Sequence, residues 1–180
     1  GGGAISGKIA ETTSLLNASN RAYTLENVNI RAGDAIAIRA NTLLSGSTDS
    51  ETYSVGLGAG ADSDDTNDDR GVNIDAVTQV EIGSGSILYG NSIDLDASVD
   101  NITGYARAKS TAYSPIFFGV ATAFSRAKVD IDSDATVDLV GSTTRITGIR
   151  GVDIQARQSG ITVTRAASQL AVALIPPQNS

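Results

Sequence analysis

The chain of 180 residues has no cysteine, histidine, methionine or tryptophan, only three prolines, and aromatic residues at 4%. Each absence excludes something. Without cysteine there is no disulfide framework, and without cysteine or histidine the common zinc clusters cannot form. The missing histidine removes the usual general base near neutral pH. No apolar run approaches the roughly 20 residues that cross a bilayer as a helix. Thirteen basic residues form no cluster and are outnumbered by 20 acidic ones, for a net charge of −7. Such a chain offers a phosphate backbone little to grip, which argues against nucleic-acid binding.

What the chain has instead is repetition. Val28-Asn29-Ile30-Arg31-Ala32 returns as Ile93-Asp94-Leu95-Asp96-Ala97 and again as Val152-Asp153-Ile154-Gln155-Ala156, at offsets of 93 − 28 = 65 and 152 − 93 = 59. Upstream, Ile9, Ile74 and Ile131 take matching places. Val80 matches Val137, Ile82 matches Leu139, and Gly83-Ser84 matches Gly141-Ser142 after a one-residue insertion. Downstream, Arg39-Ala40, Arg107-Ala108 and Arg165-Ala166 align. Segments recurring in one order define an internal repeat of roughly 60 residues in three copies, about 7–71, 72–128 and 129–180.

Within a copy the apolar residues alternate. Val72, Ile74 and Ala76 interleave with Asn73 and Asp75, and Val129 and Ile131 with Asp130 and Asp132. A period of two in β-branched residues is the mark of a half-buried strand. The phrases also recur at shorter range, 21 residues from Ile9 to Ile30 and 21 from Ile74 to Leu95. Spacing of this kind suits a parallel β-solenoid with turns of about 20 residues, three to a copy. A sandwich of hairpins is the alternative, and it favours Asn-Gly or Asp-Gly turns; neither dipeptide occurs. The expected fold is therefore all-β, a single β-solenoid domain over 1–180. Solenoid ends need polar caps. Only Pro176-Pro177 reads as a stop and nothing reads as a start, so the expectation is a fragment of a longer array, or a chain that pairs end-on with itself.

The phrases "VNIDA", "IDLDA" and "VDIQA", in a chain rich in Gly, Ala, Val, Asn and Asp, resemble the repeats of filamentous-haemagglutinin-type proteins. These are large bacterial exoproteins and autotransporter passengers. The resemblance covers most of the chain. It implies a right-handed parallel β-helix, an extracellular or cell-surface location and an adhesive or scaffolding role. It supplies no catalytic residues.

Four sets of residues are candidates for function. In the acidic run 61–71, Asp65, Asn67 and Asp69 stand at i, i+2 and i+4 ahead of Gly71, a pattern of oxygen donors that suits Ca2+. Arg70 departs from the usual calcium loop and no Glu closes it, so a solvated loop fits the same residues. In 129–134, Asp130 and Asp132 face outward together and Asp134 lies at the turn. Arg39, Arg107 and Arg165 line one face, as forked donors to anions or as partners of neighbouring Asp residues. Finally, Gly56, Gly58, Gly60, Gly119, Ala121, Ala123, Ala171 and Ala173 form small faces. They lie opposite Val55, Leu57, Phe118, Val120, Leu170 and Val172. Such a face is approached closely by another sheet, a fibre or a partner, or else closes an interior corner.

The expected role is a non-catalytic structural or adhesive element of a long surface protein. Its partners would be neighbouring repeats, copies of itself or a host or cell-surface ligand. A calcium-stabilised module and a carbohydrate-active β-helix are the alternatives; the latter needs paired carboxylates and aromatic platforms.

Overall fold

The computed structural model describes residues 2–64, 71–115 and 119–174. These contain twelve strands and no helix, and every strand pairing is parallel. The chain visits three sheets in rotation. β2 (Thr13–Thr24), β6 (Gly71–Ile82) and β10 (Val129–Leu139) form the first, with β6 in the middle. In the second, β7 (Ile87–Asp100) is flanked by β11 (Arg145–Ser159) on one edge and by β3 (Asn29–Arg31) and β4 (Ala35–Thr42) on the other. The third holds β5 (Ser45–Asp64), β8 (Thr103–Ser114) and β12 (Thr162–Ala173), with β1 (Gly2–Ile9) and β9 (Val120–Arg126) beside β5.

Strand neighbours lie one whole copy apart. Ser14 pairs with Val72 and Val72 with Val129, offsets of 58 and 57. Ser45 pairs with Thr103 and Thr103 with Thr162, offsets of 58 and 59. The expected stacking at about 20 residues is not what pairs: each such phrase goes to a different sheet. Ile74 with Ile131, Val80 with Val137 and Ile82 with Leu139 pair as the sequence aligns them. The first copy is displaced. Leu16, rather than Ile9, pairs with Ile74, and Ile36, rather than Val28, pairs with Ile93.

Corners between sheets need a left-handed backbone, which Gly and Asn tolerate best. Asn27 (φ 56°) and Gly85 (φ 72°) make one such column, Asn101 (φ 54°) and Gly160 (φ 65°) another. The corners stack so closely that a Cβ on Gly85 would fall 2.3 Å from Asn27 Oδ1.

The third sheet curls on itself. Residues 45–55 of β5 pair with β8, whereas 58–64 pair with β9. The two halves of β5 face each other, with Ser50 Oγ 2.6 Å from Ser63 Oγ and Thr52 Oγ1 donating to the Asp62 carbonyl at 3.0 Å. The end of β5 is thus a return arm, and β1 and β9 run in parallel on either side of it. Only small residues allow the approach, and Ala59, Ala61 and Ala112 with Ala121 and Ala123 fill it. The larger apolar cores lie elsewhere, one between the first and second sheets around Ile82, Leu88, Ile93 and Leu95, and one where all three sheets meet, around Val72, Ile74, Val99, Ile102 and Ala106. Burying each large side chain there contributes on the order of 1.5–3 kcal/mol.

Candidate functional site: outward rows and open edges

Period-two strands send alternate side chains outward, and parallel pairing in register lines these up in rows across copies. The rows are tied by charge. Arg21 pairs with Glu81 and Arg39 with Asp94, each from the first copy to the second. Arg107 reaches back to Asp49 at 3.3 Å and Lys109 to Glu51 at 2.6 Å. Arg157 of the third copy holds Asp96 of the second at 2.6 Å. Asp100 accepts from Asn41 at 2.9 Å and from Ser159, so all three copies meet on one carboxylate. The Ser159 hydroxyl, with help from Ser98 and Asn41, holds the Asp100 carboxyl below its usual range, and the Lys109 ammonium does the same for Glu51. Their aspartate partners hold Arg39 and Arg157 still more firmly protonated. These pairs are exposed and each is worth little alone. Chemically, the arrangement fixes the register of one copy on the next.

The arginines of the three copies do not share a face. Arg39 lies on β4, in register with Asp96 in the second sheet. Arg107 and Arg165 lie in the third sheet, but Arg165 pairs with Ala106 and Ala166 with Arg107. A slip of one residue turns a side chain to the opposite face, so Arg165 points inward, where it donates to the Val129 carbonyl. Asp130, Asp132 and Asp134 are all exposed along β10, which continues to Leu139, so Asp134 is mid-strand and not at a turn.

The small-residue positions divide between two sides of the curled sheet. Gly56, Ala121 and Ala123 face its interior; Ala171 pairs with the buried Ala112 and Ala173 with the buried Ser114. Gly60 lies on the outer side of the return arm. There Gly7, Gly60 and Thr122, with Ile9, Asp62 and Phe124, line an open groove of about 630 Å³. Gly58 pairs with Val120, and Gly119 is half-buried just before β9. Phe118 lies outside the described residues, as do Asp65, Asn67 and Asp69. Among the described residues no group of three or more acidic side chains is placed to hold a metal ion. No helix of the described residues is long and apolar enough to cross a membrane.

Sequence reasoning expected uncapped ends but did not say which strands form the open edges. Among the described residues, β10 and β11 have a strand neighbour on one side only, as do β2, β3 and β4. Val152 and Ile154 are 42% and 46% exposed, although the residues they pair with, Ile93 and Leu95, are 1% and 0%. The signal was available in the inward polar residues of the third copy, Gln158, Arg165 and Gln169. No family model matches the chain, and no curated protein or solved structure matches it either.

Proposed function

We propose that the chain is a β-solenoid with one turn per copy and that it serves as an extracellular structural or adhesive element without catalysis. The observation that carries this reading is the constant register. Outside the return arm of the third sheet, each of the three sheets joins one copy to the next with offsets of 57 to 59 residues. A chain built this way buries its core between turns and presents rows of side chains outside, so shape and repetition are what it offers a partner. Outward carboxylates engaged by Arg, Lys, Asn and Gln support a scaffolding role over an acid–base one. Extracellular placement rests on the resemblance of the repeat phrases.

The test is removal of one whole copy. Deleting residues 72–128 joins Gly71 to Val129, the residue that pairs with Val72. A solenoid closes over this gap and keeps its β-type circular dichroism with a lower midpoint. A chain that unfolds outright overturns the reading.

A calcium-stabilised module is the second reading, favoured by one observation. The step from arm to next strand takes ten positions from Asp62 to Val72, but five from Ile9 to Ser14 and five from Phe124 to Val129. The acidic run fills that insertion of five. Thermal unfolding in EDTA and in millimolar calcium decides between them. A midpoint raised by calcium, and lost in D65A/N67A/D69A, makes the run a metal site; equal midpoints make it a solvated loop.

A further inference from the structure

We propose that this chain stacks head to tail on a second copy of itself. The open edge of β10, β11 and β12 receives β2, β3, β4 and the first half of β5 of the second molecule, continuing the register that joins the copies within one chain. The inference rests on the solenoid reading above and adds to it an occupant and a register.

Four matches at the two edges support it. The first is charge. The outward row of β10 carries Asp130, Asp132, Asp134 and Asp138 and no basic residue, whereas β2 offers Asn17, Ser19, Arg21 and Tyr23 and no acid. Continued register places Arg21 opposite Thr136, between Asp134 and Asp138. In the second sheet it places Arg39 opposite Gln155, diagonal to Asp153, the relation Arg157 already has to Ser98 and Asp96. Two like-charge approaches oppose it: Arg39 to Arg157, which Asp96 and Asp153 offset, and Arg31, opposite Thr147, to Arg145.

Size is the second match. Gly46 and Gly104 pair, and each faces a valine of the next copy: an added Cβ would lie 2.9 Å from Val72 Cγ1 and 2.4 Å from Val129 Cγ1. The third copy has Val163 in this column. The residue stacking would bring to it is Ser14, the smallest in the series Ser14, Val72, Val129. Where the glycine is lost, the valine is lost too.

Third is an orphaned hydroxyl. Thr48 Oγ1 is buried without a hydrogen-bond partner, which costs on the order of 1–3 kcal/mol. Its column runs Thr48, Ala106, Arg165. Stacking sets the inward Arg165 guanidinium, with five donors, beside Thr48 of the second molecule.

The fourth is the arm. β1 runs along one edge of the return arm of β5 and β9 along the other. β9 packs against both β8 and β12. In the stack, β1 of the second molecule takes the free edge of β9 and covers the inner face of β12. Ile36 and Ile38 would meanwhile cover Val152 and Ile154.

Sedimentation velocity over a concentration series tests this. The expected result is growth from the 18.4 kDa monomer to a ladder of multiples, with rods of one width by electron microscopy. The variant D134K/D138K/D153K changes only exposed side chains and should stay monomeric, shifting the concentration for assembly by at least about tenfold. Mixing it with R21E/R39E, which is monomeric alone, should restore assembly. A wild-type chain that stays at 18.4 kDa at the highest concentration, or a triple variant that assembles as well as wild type, overturns the proposal. The copy-deleted chain keeps both edges and goes through the same run. If it is folded but monomeric, only the stacking is wrong; if it is unfolded, the solenoid reading fails with it.

Discussion

The second and third copies are built on the same columns, yet they differ in what they bury. Ile93 and Leu95 are sealed; Val152 and Ile154, which pair with them, are nearly half exposed. The difference lies in neighbours and not in residue type. A strand in the middle of a parallel stack is covered on both edges, while one at the end is covered on one. Inward positions record this. Where the second copy has Val99, Ala106 and Ser110, the third has Gln158, Arg165 and Gln169. Gln158 reaches the Ser133 carbonyl at 2.6 Å, and Arg165 that of Val129. Long polar side chains are tolerated there because their ends find edge carbonyls, at a place where an apolar residue would face water.

Core truncation should give the widest separation between the copies. Leu95→Ala removes a fully buried side chain from the largest apolar cluster and should cost about 3 kcal/mol by denaturant titration. Ile154→Ala, one copy on in the same column, should cost less than about 1 kcal/mol in dilute monomer. Equal costs would mean that Ile154 is already covered in solution. The comparison sharpens with concentration: if the chains stack, the penalty at Ile154 rises as they assemble and that at Leu95 does not.

A smaller separation comes from glycine. An added Cβ on Gly83 would lie 2.5 Å from the Leu25 carbonyl oxygen, a backbone atom of the neighbouring copy that cannot step aside. Gly83→Ala should cost about 1–3 kcal/mol through overpacking. On Gly151, at the open edge of β11, the same atom meets nothing within 4 Å. Gly151→Ala should leave the midpoint unchanged or raise stability by about 0.5 kcal/mol, since alanine reduces the freedom of the unfolded chain. A loss at Gly151 as large as at Gly83 would break the contrast between a covered and an open edge.

These positions also show what was legible. All-β structure and a threefold repeat could be read from alternation and order, because Val72–Ile82 and Val129–Leu139 carry the same pattern with a single insertion after them. The first copy was misplaced by seven or eight residues. A phrase of alternating apolar and polar residues fits any of the three sheets, so Ile9 and Val28 matched as well as Leu16 and Ile36, the residues that pair. The corner residues would have settled it. Asn27 and Gly85, and Asn101 and Gly160, are 58 and 59 apart, and a left-handed corner is a stricter demand than a strand phrase. The shared Arg-Ala dipeptide misled in the same way, with a slip of one residue at Arg165 that reversed its face. Which strands form the edges was legible only in the inward polar residues Gln158, Arg165 and Gln169, since pairing over such distances leaves little other local trace.

The smallest effect should come from pH, and it probes how the copies are tied together. Asp100 of the second copy is held by Asn41 of the first and Ser159 of the third. Its carboxyl sits below the usual range, chiefly through Ser159, and Glu51 sits low through Lys109. A carboxyl lowered by folding stabilises the fold above its unfolded value, about 3.9 for Asp and 4.3 for Glu. That contribution is lost as pH falls through the folded value. The thermal midpoint should therefore hold from pH 8 to about 5 and decline below about 4. Because these groups are exposed, each contributes little. Ser159→Ala should lower the neutral midpoint by about 1 °C and shrink the acid decline by the same amount, as Asp100 returns toward its ordinary value. An acid decline unchanged by Ser159→Ala removes Asp100 as the tie between copies and leaves Glu51, held low by Lys109, as its source.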